Sequence, residues 1–168
     1  MTRNKFILLI CILIPLNGCA TSNNPVLQSQ ANPTFYQSEN KEKSILSIKS
    51  ALHNDEKNLD LYILLGKEYM RYNNFTEAID SFNIVLSQNP SAFEAFNYRG
   101  EAYYLLGNFE QALSDFDMSL AINPFYSDAY YSRAKYYDGI NNSKLALGDL
   151  DSAIKYLSLI HISEPTRP

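Results

Sequence analysis

Residues 93–126 read FEAFNYRGEAYYLLGNFEQALSDFDMSLAINPFY, and their spacing decides the fold. Within them, Phe96-x-x-Arg99-Gly100-x-x-Tyr103 follows Tyr62-x-x-Leu65-Gly66-x-x-Tyr69 by 34 residues. A third version, Tyr130-x-x-Arg133-Ala134-x-x-Tyr137, comes another 34 residues on. Later in the unit, Phe75, Ala78, Phe82 and Pro90 recur as Phe109, Ala112, Phe116 and Pro124. A fixed period of this length marks stacked units, none of which can bury its apolar face alone.

Each recurring position has a mechanical reason. Gly66, Gly100 and Ala134 are small enough to let two helices of a hairpin approach closely, and Ala78, Ala112 and Ala146 do the same from the second helix. Tyr69, Phe82, Tyr103, Phe116 and Tyr137 follow a helical face and fill the space between hairpins. Pro90 and Pro124 cannot sit inside a helix and so end a unit. Ser91-x-x-Glu94 predicts a capping box opening the next helix. Gly107-Asn108 predicts a left-handed stop followed by a new cap. The pattern resembles the tetratricopeptide repeat, with its large-x2-Leu-Gly-x2-Tyr opening and its later Ala, Phe and Pro. The resemblance implies an all-α solenoid of helical hairpins over residues 41–156, with repeats near 59–92, 93–126 and 127–156. The third unit is weaker, with Ser143 in place of an aromatic and Leu150 in place of Phe. Ahead of the repeats, Ile45, Ile48, Ala51 and Leu52 share a face and predict a single helix capping the stack.

The N-terminus reads as an address. Arg3 and Lys5 precede the apolar run Phe6 to Leu16, which is too short to span a bilayer and suits a secretory signal. It ends in Leu16-Asn17-Gly18-Cys19, which resembles the bacterial lipobox, although Asn17 is an unusual choice there. The resemblance implies cleavage after residue 18, a diacylglyceryl group on the Cys19 sulfur and acylation, commonly by palmitate, of its new amine. Several acyl chains make a stable anchor where one would not. Ala20, rather than Asp, implies the outer membrane of a Gram-negative cell, facing the periplasm; in a Gram-positive cell the anchor would be the cell membrane surface. Residues 19–40 are rich in Asn, Ser, Gln and Pro and predict a flexible tether.

At the other end, residues 157–168 read LSLIHISEPTRP, which resembles the conceptual translation of a sequencing-library adapter. The position held by Pro90 and Pro124 falls on Ser158, inside this string. The expectation is that these twelve residues are an artefact and that the repeat pattern is interrupted at Tyr156.

Composition narrows the function. With 46% hydrophobic and 19% charged residues the chain is globular in character. Removing Arg3 and Lys5 with the signal leaves 12 basic against 18 acidic side chains, near −6, with no basic stripe, which argues against nucleic acid. Cys11 leaves with the signal and Cys19 carries lipid, so no disulfide is expected. His53 is the one histidine outside the adapter-like string, too little for a metal site or a Cys–His nucleophile. Asp115, Asp117, Asp149 and Asp151 are spaced as a solvated helix surface rather than as a catalytic carboxylate pair. No catalytic residue, metal or cofactor is therefore expected.

Binding falls instead to the face formed by the first helices. Resemblance to repeat proteins of this family selects Ile63, Lys67, Met70, Asn97, Glu101, Tyr104, Tyr131 and Lys135 as the lining of a protein-binding groove. The mixture of aromatic, aliphatic and charged groups suits a protein or peptide surface. It departs from the Lys/Asn/Arg set that grips a C-terminal carboxylate. Lipobox, tether and repeats together resemble NlpI-type envelope lipoproteins, most noticeably across Phe93 to Leu150. That resemblance implies a scaffold for other envelope proteins, peptidoglycan hydrolases among them. A pilotin for a type IV pilus secretin, or the non-catalytic part of a longer enzyme, uses the same features and stays open, as does homo-oligomerisation.

Overall fold

A computed structural model describes residues 33–163, with side chains over residues 41–159. The signal-like run, the lipobox with Cys19 and most of the expected tether lie outside the described residues. Seven helices follow one another and no strand occurs among the described residues. They are α1 (Pro33–Asn54), α2 (Leu59–Arg71), α3 (Phe75–Gln88), α4 (Phe93–Leu105), α5 (Phe109–Ile122), α6 (Ser127–Gly139) and α7 (Ser143–Ser163). Helices α2/α3, α4/α5 and α6/α7 pair as hairpins, and each hairpin packs against the next through α3–α4 and α5–α6. This is the expected tetratricopeptide-type solenoid of three hairpins.

The close approach inside a hairpin rests on a missing side chain. A methyl group added at Gly66 would stand 2.5 Å from the Phe82 ring, and one at Gly100 would stand 2.8 Å from Phe116. Both rings are fully buried. Phe82 also stacks on Tyr98 of the following hairpin, with centroids 5.9 Å apart. The third hairpin solves the same problem in reverse: Ala134 brings its methyl, and Leu150 stands where the other hairpins have a ring.

Turns repeat with the same period. Asn73 (φ 60°), Gly107 (φ 81°) and Asn141 (φ 59°) end the first helix of each hairpin in the left-handed region, which Gly and Asn tolerate best. Each is followed by an Asn whose N–H donates five residues back: Asn74 to Tyr69 O (2.9 Å), Asn108 to Tyr103 O (2.9 Å) and Asn142 to Tyr137 O (2.8 Å). That closure satisfies carbonyls otherwise left open at a helix end. The stop expected at Gly107 is therefore present, but Asn108 caps α5 by position alone, with no side-chain hydrogen bond.

The capping box expected at Ser91-x-x-Glu94 does not form. The residue at the start of α4 is Ala92, and no side chain caps it. Asn89 takes the local role instead, its Oδ1 accepting from the Ser91 N–H at 3.1 Å, as Asn123 accepts from Phe125 at 3.1 Å. An Asn before Pro closes this turn on its own backbone.

The acids of the second helices also differ from expectation. Asp115 and Asp149 are buried, not solvated. Arg99 Nε and Nη2 donate to the two Asp115 oxygens at 2.8 and 2.7 Å, and its Nη1 reaches back to Asn83 Oδ1 at 2.7 Å. Arg133 repeats the arrangement, with Asp149 at 2.8 Å twice and Asp117 of the preceding hairpin at 2.6 Å. Each arginine thus clamps the carboxylate of its own hairpin bidentately and pins the hairpin before it. In the first hairpin Leu65 and Ser81 stand in place of the Arg–Asp pair, and Leu65 packs with Ile45 and Leu52 of α1. That contact places α1 as the cap of the stack. The helix begins at Pro33, a favoured first residue, so the last part of the expected tether is helical. At the far end α7 runs through residues 157–163 of the adapter-like string.

The Gly–Phe fit can be tested by exchange. Gly100→Ala should destabilise by about 2 kcal/mol through overpacking, and Phe116→Leu by about 1 kcal/mol through lost volume. The double variant copies Ala134/Leu150 and should lose less than the two costs added together, by about 1 kcal/mol, in guanidinium unfolding. Strict additivity would show that the two positions do not share one space.

Candidate protein-binding groove

The first helices α2, α4 and α6 lie side by side, α2 touching α4 and α4 touching α6. Their common face carries the candidate groove. Lys67 is exposed there; its Nζ donates to Tyr98 Oη at 3.0 Å and stands 4.7 Å from the centre of that ring. The hydrogen bond to Tyr98 holds the ammonium above its ordinary range against partial desolvation, with Glu94 and Asp128 adding to the effect. Burial pushes the neighbouring Tyr126 phenol up, and Tyr98, Asp128 and Glu94 push it further. One lysine, two carboxylates and two phenols from three hairpins are therefore gathered in one place.

The pattern continues along the face. Ser132 Oγ donates to Glu101 Oε1 at 2.5 Å, so Glu101 meets the next first helix at the same 31-residue separation as Lys67 and Tyr98. Farther on, Lys135 lies 5.8 Å from the Tyr131 ring centre. Both line a cavity of about 360 Å³ with Ala134, Asp138, Leu147 and Leu150.

Of the eight residues selected from sequence, Lys67, Tyr131 and Lys135 are exposed on this face, while Ile63 and Glu101 are half-buried. The other three are engaged in packing. Met70 lies against the cluster of Ala78, Ile79 and Phe82. Tyr104 packs on Phe109 and Tyr136, with centroids 5.7 and 6.5 Å away, and its hydroxyl borders Gly139. Asn97 is fully buried and closed to a ligand, a correction to its place in the groove. The position is open in the third hairpin, where Tyr131 projects, and closed in the second.

Glu94, Tyr98, Tyr126 and Asp128 were missed by the sequence reading. The signal for Tyr98 lay in the 31-residue step from Lys67, which a search at period 34 passes over. Tyr126 and Asp128 flank the start of α6 and reach the cluster only through hairpin stacking. His53 is exposed in the last turn of α1. Among the described residues no group of three or more His, Cys, Asp or Glu could hold a metal.

Comparison with known proteins agrees with this architecture. Residues 63–127 match the tetratricopeptide repeat family. A crystal structure of MamA superposes with a TM-score of 0.61 at 24% identity, covering 72% of this chain and 71% of that one. A MamA structure from MSR-1 gives 0.58 at 18% identity, covering 74% and 71%. A thermophilic TPR protein of Thermus thermophilus gives 0.65 at 18% identity, covering 73% and 69%. No curated protein sequence matches the chain. The class so defined is the tetratricopeptide-type helical solenoid.

Asn97 offers a test of how the face is divided between packing and binding. Neither its Nδ2 nor its Oδ1 has a hydrogen-bond partner among the described residues. A buried amide left unpaired costs on the order of 1–3 kcal/mol. Asn97→Leu, close in volume to Ile63 at the matching position, should raise the thermal midpoint by several degrees. A lowered midpoint would mean that the amide is satisfied in solution and holds the helices together.

Proposed function

We propose that this chain is a lipid-anchored scaffold of the bacterial cell envelope, holding partner proteins on the face of α2, α4 and α6. The observation that carries the reading is the order of parts: a sequence resembling a lipobox and ending at Cys19 stands ahead of a solenoid whose exposed face offers Lys67, Tyr131 and Lys135. An anchor fixes position, and the solenoid supplies a broad surface with both charge signs and aromatic rings. Such a surface can hold an extended peptide or the flank of a folded partner without demanding one terminal group. The resemblance to NlpI-type lipoproteins supports peptidoglycan hydrolases as the partners, and Ala20 supports an outer-membrane location facing the periplasm.

Lys67→Glu with Lys135→Glu and Tyr131→Ala should abolish co-purification of peptidoglycan hydrolases while far-ultraviolet circular dichroism stays unchanged. All three side chains are exposed, and the circular dichroism separates loss of the surface from loss of the fold. Undiminished co-purification would overturn the groove as the binding surface.

The anchor is tested separately. Cys19→Ser removes the acceptor sulfur and should move the protein from the membrane fraction to the soluble envelope fraction. Metabolic labelling with palmitate should disappear with it. A variant that remains in the membrane fraction would show that something other than lipid holds the protein there.

A further inference from the structure

One group of apolar side chains lies outside the packing between helices. Leu105 ends α4, Leu106 follows it and Phe109 opens α5; they are 52%, 44% and 47% exposed. They belong to the middle hairpin, which has a hairpin on either side, so the stack itself leaves them open. Ile140, at the position of Leu106 in the third hairpin, is 46% exposed, so a following hairpin makes no difference to this position. The turns lie side by side, since Tyr104 packs on Phe109 and its hydroxyl borders Gly139. All four side chains therefore share the edge where first helices turn into second helices. The N-terminal part of α1 comes to that same edge. Lys41 Nζ donates to Asn74 Oδ1 at 2.8 Å in the first hairpin's turn and stands 5.6 Å from the Tyr72 ring centre. Leu52, near the other end of α1, packs instead with Leu65 in the middle of α2. Charges of both signs occur on this edge. Lys41 and Arg71 lie beside Tyr72, Glu77 and Glu110 stand in the first turns of α3 and α5, and Asp138 is in the last turn of α6. The opposite edge repeats one sign, with Asp60, Glu94 and Asp128 in the first turns of the first helices.

We propose that this turn edge lies on the bilayer surface, with Leu105, Leu106, Phe109 and Ile140 entering the headgroup region of zwitterionic lipid. The inference rests on the lipid-anchor reading of Cys19 and adds to it which edge of the solenoid meets the membrane. Three observations select that occupant. Exposed aliphatic and aromatic side chains at the tips of turns suit the boundary between headgroups and acyl chains. An edge with both charge signs matches a headgroup that carries an ammonium and a phosphate, whereas the carboxylate row of the opposite edge would be repelled by the negative potential of anionic lipid. Finally, α1 brings the segment that leads back to Cys19 to this edge, so the anchor and the apolar turns meet the same surface. The helices then stand upright on the membrane, and the face of α2, α4 and α6 opens sideways to partners.

The chain contains no Trp, so a single introduced Trp reports its own surroundings. The test uses the full lipidated chain on vesicles of phosphatidylethanolamine and phosphatidylcholine, carrying Leu106→Trp or, on the opposite edge, Ser91→Trp. Both positions are exposed, and circular dichroism checks that each variant folds. Leu105→Trp serves instead if Leu106→Trp does not fold. On vesicles, emission from Leu106→Trp should shift to shorter wavelength than in the same variant carrying Cys19→Ser in buffer. It should also be quenched by lipids brominated on their acyl chains, and adding Leu105→Asp should reduce that quenching. Emission from Ser91→Trp should be neither shifted nor quenched. Flotation with the vesicles while Leu106→Trp stays unshifted and unquenched would overturn the proposal and leave the anchor standing. A shift without quenching would mean that protein rather than lipid covers the turns, and equal quenching at both positions would mean that this edge is not the one facing the bilayer; either result overturns it. Failure of the chain to float with vesicles would show that the anchor reading itself is wrong, and the inference would fall with it.

Discussion

The absence of a side chain at Gly66 and Gly100 is the constraint on which the rest of the structure depends. It lets the Phe82 and Phe116 rings lie against helix backbone, at distances where a Cβ could not stand. Each ring is thereby buried completely, and burying a phenylalanine contributes about 2–3 kcal/mol relative to leaving it in water. The hairpin angle follows from that contact, and so does the position of the next hairpin, because Tyr98 stacks on the far side of Phe82. A small residue in one helix thus determines where a ring 16 residues later can go. That ring in turn determines where the following unit begins.

Stacking is then reinforced by charge. Arg99 and Arg133 each hold the carboxylate of their own hairpin with two hydrogen bonds and reach one acceptor in the hairpin before. Such a pair need not add much net stability, since desolvation of both partners opposes the Coulomb attraction. Its value lies in register: a planar guanidinium bonded on three edges admits little sliding of one hairpin over another. The first hairpin shows the alternative. Leu65 replaces the arginine and Ser81 replaces the aspartate, and Ser81 is satisfied locally by donating to Glu77 O at 2.8 Å. Both members of the clamp are exchanged together where the neighbour is the apolar face of α1 rather than another hairpin.

What the sequence disclosed and what it concealed divide along the range of the interaction. The 34-residue period, the small residues and the left-handed stop at Gly107 are local or strictly periodic, so they were legible. Asp115 and Asp149 were misread as surface acids because spacing within one helix places them among exposed neighbours. Their burial depends on an arginine in a different helix. The box at Ser91 and Glu94 failed for a more local reason, since Asn89 closes the preceding turn and moves the helix start to Ala92. In the groove, Tyr131 and Asn97 occupy the same repeat position but have opposite exposure. A one-dimensional register cannot separate them, because the difference comes from the side chains that cover each one.

The face formed by the first helices is polar and already engaged. On the face of α2, α4 and α6 the available groups already have partners: Lys67 has Tyr98, and Glu101 has Ser132. A ligand there exchanges one set of polar contacts for another, which favours selectivity and easy release over strength.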